Sequence, residues 1–254
     1  SMAARGRRRR NLQQRRGQVQ DERKKKKKKK KKGQSSPPTT SPPTTSPCTV
    51  CATGCAFNSV QAAVNAASAG ATITVCAGIY EGSIAIDRDL TLVGAGPGGV
   101  GQTRLEGTGG SRVVTVAAGR TVTLRGLRVT GGAGEIGAGI LNEGRLTLDN
   151  CTVTRNQGNG NGGGIYNTGD STLSLTGCTI TANTSTSAGG GIYNIGTCSI
   201  AASSITGNTA SSFGGGLANS DSVYFDVQMT ITNTTVSGNT PDQCFDNAGV
   251  GCPP

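Results

Sequence analysis

Gly162-Gly163-Gly164-Ile165-Tyr166-Asn167 recurs unchanged as Gly189-Gly190-Gly191-Ile192-Tyr193-Asn194. A close variant, GGGLAN, occupies residues 214–219, and a looser one, GAGILN, residues 137–142. Hexamers repeated every 25–27 residues mark a repeat architecture of stacked coils. The remainder of each period repeats too. Leu146, Leu148, Cys151, Val153 and Asn156 are echoed by Leu173, Leu175, Cys178, Ile180 and Asn183. Cys198, Ile200, Ser203, Ile205 and Asn208 follow, then Met229, Ile231, Thr234, Val236 and Asn239. Val122, Leu124, Leu127 and Val129 fit the same template upstream, which makes five coils in one register.

Within a coil the apolar positions run x, x+2, then x+5, x+7. Period two is that of a strand, whose alternate side chains face opposite ways. The step of three predicts a bend at Asp149-Asn150, Thr176-Gly177 and Ala201-Ala202. Ile140, Ile165, Ile192 and Leu217 add a third inward point after each glycine run. Each coil thus reads as three short strands and three corners, and it can bury its apolar rows only against a copy above and below. The expected fold is all-β, a single-stranded parallel β-helix, right-handed by analogy with parallel crossovers. Two asparagine columns, Asn142/Asn167/Asn194/Asn219 and Asn156/Asn183/Asn208/Asn239, are expected to be corner ladders rather than metal or sugar ligands. Before the coils, Asn58 or Ser59 can cap a short helix that places Val60, Val64 and Ala67 on one face and ends near Gly70. That helix would plug the open end of the first coil.

The GGGIYN runs, threonine-rich strand pairs and Gly-Asn corners resemble the repeats of polymorphic outer-membrane proteins, which are parallel β-helix surface proteins. The segment from Ser59-Val-Gln-Ala-Ala-Val64 through Ala71–Glu81 to Leu90–Gly96 is similar to the cap and first coils of the pectin-lyase-like superfamily. Together these resemblances span residues 48 to about 240 and imply the same fold. That fold carries lyases, hydrolases, esterases, adhesins and inert scaffolds, so function has to come from the side chains.

The chain divides at about residue 47. Residues 1–47 hold eight Arg and nine Lys against two acids, a net +15, and end in a Ser/Thr/Pro stretch. Residues 48–254 hold eight Arg, no Lys and twelve acids, a net −4. The first segment lacks the apolar residues a core needs and reads as a disordered basic arm for polyanions; the second is the β-helix domain. No apolar stretch follows the basic N-terminus, so no signal peptide is read, and no segment is long enough to span a membrane.

Nine cysteines fall into three groups. Cys48, Cys51, Cys55 and Cys76 surround the cap, and Cys244 and Cys252 lie near the C-terminus. Even numbers at the weak ends of a solenoid point to disulfides and an extracellular or cell-surface setting. The 48–51–55 spacing does not match the usual paired zinc knuckles, so no metal is assigned. Cys151, Cys178 and Cys198 sit at inward positions, where cysteine packs as a small hydrophobe.

The catalytic inventory is thin, and no cofactor is expected. Without histidine there is no Ser-His or Cys-His chemistry, and without lysine in the coils there is no Lys base for β-elimination. Acids are scattered; only Asp87-Arg88-Asp89 clusters, in what reads as a solvated turn, and Asp149 is expected to meet Arg155 as a surface ion pair. Two outward features are candidate binding sites. Tyr166 and Tyr193 form a candidate glycan-stacking pair. Thr152/Thr154, Thr179/Thr181, Ser204/Thr206 and Thr235/Ser237 form a hydroxyl ladder bordered by Arg128. The expected function is a secreted or cell-surface, non-catalytic module, adhesin-like or structural, that binds glycan or other surface polymers. A polysaccharide lyase and an ice-binding protein working through the threonine ladder are the alternatives.

The charge division predicts that polyanion binding resides in residues 1–47. Deleting them is expected to abolish retention on a heparin column at physiological salt, and the intact chain should elute steeply with rising salt. Undiminished retention of the shortened chain would place the polyanion site in the coils.

Overall fold

The computed structural model describes residues 48–220 and 227–246, so the basic arm, Asp221, Asp226 and Cys252 lie outside the described residues. The coils form an all-β parallel solenoid with three seven-stranded sheets along its sides. The first sheet runs from Ala71–Thr74 through Arg145–Asp149 to Gln228–Thr232, and the second from Gly78–Glu81 through Thr152–Thr154 to Thr235–Ser237. The third runs from Ile84–Ile86 through Ile165–Asn167 to Cys244–Asp246. Seven strands per sheet extend the five coils of the repeat by two at the N-terminal end, where the glycine hexamer is missing. A fourth, four-stranded sheet of two-residue strands, such as Gln157–Gly158 and Thr184–Ser185, was not anticipated. Its strands are too short to show a two-residue alternation.

Register is direct. Val153 pairs with Val129 and Ile180, Ile180 with Ile205, and Ile205 with Val236. Leu148, Leu175 and Ile200 pair likewise, as do Ile140, Ile165, Ile192 and Leu217. Like therefore stacks on like, and Val153, Ile180 and Ile205 are fully buried. Each such side chain contributes about 1.5–3 kcal/mol by leaving water.

The predicted bends are left-handed backbone positions. Gly126, Asn150, Gly177, Ala202 and Asn233 share positive φ of 48–62° at one corner. Gly131, Arg155, Ala182, Gly207 and Gly238 do so at the next, at 55–70°. Glycine and asparagine suit these φ values; Ala182, Ala202 and Arg155 carry a Cβ there and are strained.

The N-terminal end is closed as expected, with detail the sequence did not show. Helix Val60–Ala66 is capped by Ser59, whose Oγ accepts from the Ala62 amide, and it buries Val60, Ala63 and Val64. Gln61 mimics a neighbouring strand: its Oε1 accepts from the Ala85 amide at 2.7 Å and its Nε2 donates to the Ala85 carbonyl at 3.2 Å. This covers an edge that would otherwise invite pairing. Arg88, read from sequence as part of a solvated turn, donates to the carbonyls of Asn65 and Ala67 at the helix C-terminus and is held by Asp87. Disulfide Cys48–Cys76 ties the preceding loop to the first coil, and Cys51–Cys55 closes that loop on itself. Cys244 is also disulfide-bonded and sits on the last described strand of the third sheet.

Two substitutions test the register. Ile180→Asp places an unpaired carboxylate between Val153 and Ile205 and should cost at least about 3 kcal/mol in thermal or denaturant unfolding. Ala182→Gly and Ala202→Gly relieve the left-handed strain and should each stabilise by about 0.5–1 kcal/mol. An unchanged midpoint for Ile180→Asp would show that the column is misassigned.

Candidate functional site

The asparagine columns are the most prominent polar repeat. Asn142, Asn167 and Asn194 each donate through Nδ2 to the Oδ1 of the next coil's asparagine, at 2.7, 2.7 and 2.8 Å. Asn156, Asn183 and Asn208 do the same toward Asn183, Asn208 and Asn239, at 2.9, 2.9 and 3.0 Å. All of these asparagines are buried, and their remaining capacity goes to backbone: Asn183 Nδ2 also donates to Val153 O at 3.0 Å. Their amides are spent inside the coil and present nothing to a ligand.

Tyr166 and Tyr193 stack with ring centroids 5.2 Å apart and planes 19° from parallel. They belong to a second apolar cluster, with Ala188, Ala218, Ile195 and Phe213, lying apart from the main core. Tyr193 is only 9% exposed, and Tyr166 is the more open ring. Burial, then the neighbouring Tyr193, pushes the Tyr166 hydroxyl up from its ordinary value.

The outward side of the second sheet carries the hydroxyl ladder in register. One column runs Ile79, Arg104, Arg128, Thr152, Thr179, Ser204, Thr235; the other runs Glu81, Glu106, Thr130, Thr154, Thr181, Thr206, Ser237. Thr206 and Thr181 approach at 3.5 Å between hydroxyls. The columns are not uniformly open: Thr154 is buried, Thr152, Thr179, Thr181, Ser204 and Thr206 are half-buried, and Thr235 and Ser237 are exposed.

Charge gathers where the hydroxyls stop. Arg104 and Arg128 are paired across adjacent coils, and Arg155 follows Thr154 at the corner beside Gly131. Arg104 is ion-paired with Glu106 on its own strand. Among the described residues, no carboxylate lies within ion-pairing distance of Arg128 or Arg155. Burial, then repulsion from Arg155 and Arg104, pushes the Arg128 guanidinium down from its ordinary value. The sequence marked Arg128 only as a border of the ladder. The signal for its neighbours was available: Arg104 and Arg128 are each followed two residues on by the second outward column.

The expected Asp149–Arg155 pair does not form. Asp149 is in register with Arg125 and accepts from its Nε at 2.7 Å, whereas Arg155 lies one strand further along the coil. Other acids have structural work too: Asp89 accepts from the Thr121 amide, Asp242 from the Gly215 amide, and Asp246 from Asn219. Among the described residues, no carboxylate cluster of three or more gathers into a metal-type group. A shallow pocket of about 320 Å³ under the cap, lined by residues including Asn58, Gln61, Ile79 and Glu81, holds Glu81 as its one charged side chain.

The inward cysteines are free and buried. Cys151 and Cys178 point their thiols at the Leu124 and Leu148 carbonyls at 3.3 and 3.4 Å, and Cys198 stacks between Leu173 and Met229. Burial pushes Cys151 and Cys198 from 9.0 to about 12 and raises Cys178 in the same direction. Thiols so placed are inert at neutral pH. No helix among the described residues is long and apolar enough to cross a membrane. No protein-family model matches the sequence, and comparison with curated proteins and with solved structures finds no match.

The cysteines predict an alkaline weakness. A thiol whose folded value is raised keeps its stabilising contribution below pH 9 and loses it as pH climbs toward 12. The unfolding midpoint should therefore fall over that window, and less steeply in Cys198→Ala. Native protein at pH 8 should not react with a thiol reagent at these three positions until it is unfolded. Reaction in the native state would show that the thiols are not enclosed.

Proposed function

We propose that the solenoid is a non-catalytic binding module, adhesin-like or structural, that engages glycan or another surface polymer on the outer side of its second sheet. The observation that carries this reading is the pair Arg128 and Arg155. Two guanidiniums are kept near a third without a carboxylate partner among the described residues, in a body of net −4. Such an arrangement lowers stability by desolvation and repulsion and offers planar, multi-donor recognition to an acidic group on a ligand. The hydroxyl columns beside it add donors and acceptors along the stack, suited to a long polar chain lying across several coils.

Further support comes from Asp89, Asp149, Asp242 and Asp246, which serve the scaffold singly, and among the described residues no three acids gather. The disulfides are in keeping with a secreted or cell-surface setting. The repeats' similarity to polymorphic outer-membrane proteins, and the cap's to the pectin-lyase-like superfamily, fits a surface scaffold of this kind. The basic arm of residues 1–47 would add electrostatic attachment to anionic material.

The test is an NMR or calorimetric titration with short acidic and neutral oligosaccharides, in enough salt to screen the basic arm. Arg128→Ala, on an outward position, should raise the thermal unfolding midpoint slightly by relieving its repulsion with Arg155 and Arg104, while lowering affinity for the acidic oligosaccharides about tenfold. Thr152→Val and Thr179→Val should weaken both classes. Equal binding by wild type and Arg128→Ala would overturn the arginine assignment. Turnover of any oligosaccharide would overturn the non-catalytic reading.

A further inference from the structure

The cap brings the Cys48, Cys51 and Cys55 side chains of one short loop up to Cys76, which lies after the first strand. The Cys76 sulfur lies 3.3 Å from the Cys51 sulfur, although each belongs to a different disulfide. The sulfurs of Cys51, Cys55 and Cys76 all lie within 4.8 Å of one another, and the Cys48 sulfur is bonded to that of Cys76. Three sulfurs therefore share one small volume at the mouth of the solenoid, and the fourth, that of Cys48, is bonded to one of them. In a tetrahedral zinc thiolate centre, Zn–S distances of about 2.3 Å place the sulfurs about 3.8 Å apart. The 3.3 Å between the Cys76 and Cys51 sulfurs is close to that value.

Backbone contacts hold this geometry independently of the S–S bonds. The Thr49 and Val50 amides donate to Thr74 O at 2.7 and 3.0 Å, and the Cys76 amide donates to Val50 O at 2.9 Å. The Cys51 amide donates to Phe57 O at 3.0 Å, closing the loop that carries Cys51 and Cys55. Val50 is fully buried, and the Tyr80 hydroxyl donates to the Val50 and Cys76 carbonyls at 3.3 and 3.1 Å. Cutting both bridges would thus leave four thiols gathered by strand pairing and one buried side chain. The three inward cysteines differ, since they are enclosed between coils and form no such group.

We propose that the cap is a two-state centre: two disulfides when oxidised, and a four-thiolate zinc site when reduced. Reduction by a cellular dithiol transfers two electrons and two protons to each bridge. The Cys48–Cys76 and Cys51–Cys55 bonds break to give four thiols, and two dithiol molecules become disulfides. Zinc then displaces the four thiol protons to solvent and is held by four sulfurs. Either state ties the loop to the first coil, so the end of the solenoid is closed in a reducing compartment as well as an oxidising one.

The experiment uses the full chain, reduced with a phosphine and titrated anaerobically with cobalt(II), then with zinc(II). The expected result is one metal per chain, with the intense thiolate-to-cobalt charge-transfer bands of a tetrahedral sulfur site, which zinc then abolishes. The double variant Cys51→Ser, Cys55→Ser should lose those bands. Because that variant can also fail to fold, alkylation of the reduced wild type supplies a second readout. Zinc should slow modification of Cys48, Cys51, Cys55 and Cys76 at least about tenfold while leaving Cys244 unprotected. Absence of thiolate bands, retention of them in the double variant, or equal alkylation of all five cysteines would each overturn the proposal.

Discussion

The whole solenoid depends on one close approach, that of a glycine backbone to the asparagine corner of its own coil and the glycine run of the next. A Cβ at Gly164 would meet Gly191 O at 2.5 Å and Asn183 Nδ2 at 3.0 Å. At Gly191 it would meet Gly216 O at 2.5 Å and Asn208 Nδ2 at 3.1 Å. No side chain fits there, so the third glycine of each run is obligatory. The asparagine that fills the corner then supplies donors to carbonyls that packing has removed from water. Glycine and asparagine columns are two halves of one constraint. Once it is met, register is locked, and the apolar rows have no freedom but to stack like upon like.

Locked register also decides what the outer surface can offer. Outward positions align across coils as strictly as inward ones, so a residue type repeated in sequence becomes a column on the surface. Threonine and serine make a column of hydroxyls that is neutral and tolerates close spacing. Charge obeys a harsher rule, because like charges aligned coil upon coil repel. Arg104 escapes by pairing with Glu106, and Arg125 by pairing with Asp149. Arg128 and Arg155 do not, although Arg128 lies close enough to Arg104 and Arg155 to feel the repulsion of both.

The fold was legible because periodicity states it directly: two-residue alternation gave the strands, and the hexamers gave the coil length. The bends at Asn150, Gly177 and Ala202 could be placed because the apolar spacing slips by one there, and the structure has positive φ at all three. What escaped the sequence was the pairing of charges between coils. Asp149 was matched to Arg155, six residues away, although its partner Arg125 lies 24 residues back and one coil below. The four cap cysteines could be read as a group, but their pairing and the close approach of Cys51, Cys55 and Cys76 depend on the loop 48–57 folding over Cys76. Arg88 was read as solvated because nothing local reveals that the helix end lies within its reach.

A stack whose coils are so alike also needs a means of stopping. An asparagine amide both accepts and donates, so a ladder built from it can propagate indefinitely. At the C-terminal end both ladders change residue. Asn219 donates to Asp246, whose carboxylate can accept but has no N–H to pass on. Asn239 donates to Oε1 of Gln243 at 3.0 Å, and Gln243 Nε2 turns back to donate to Asn239 O at 3.2 Å. One ladder therefore ends on a group without a donor, and the other on a group that spends its donor on its own coil. The uniform asparagine-to-asparagine chemistry that sets the register over the middle coils thus changes at the last described one.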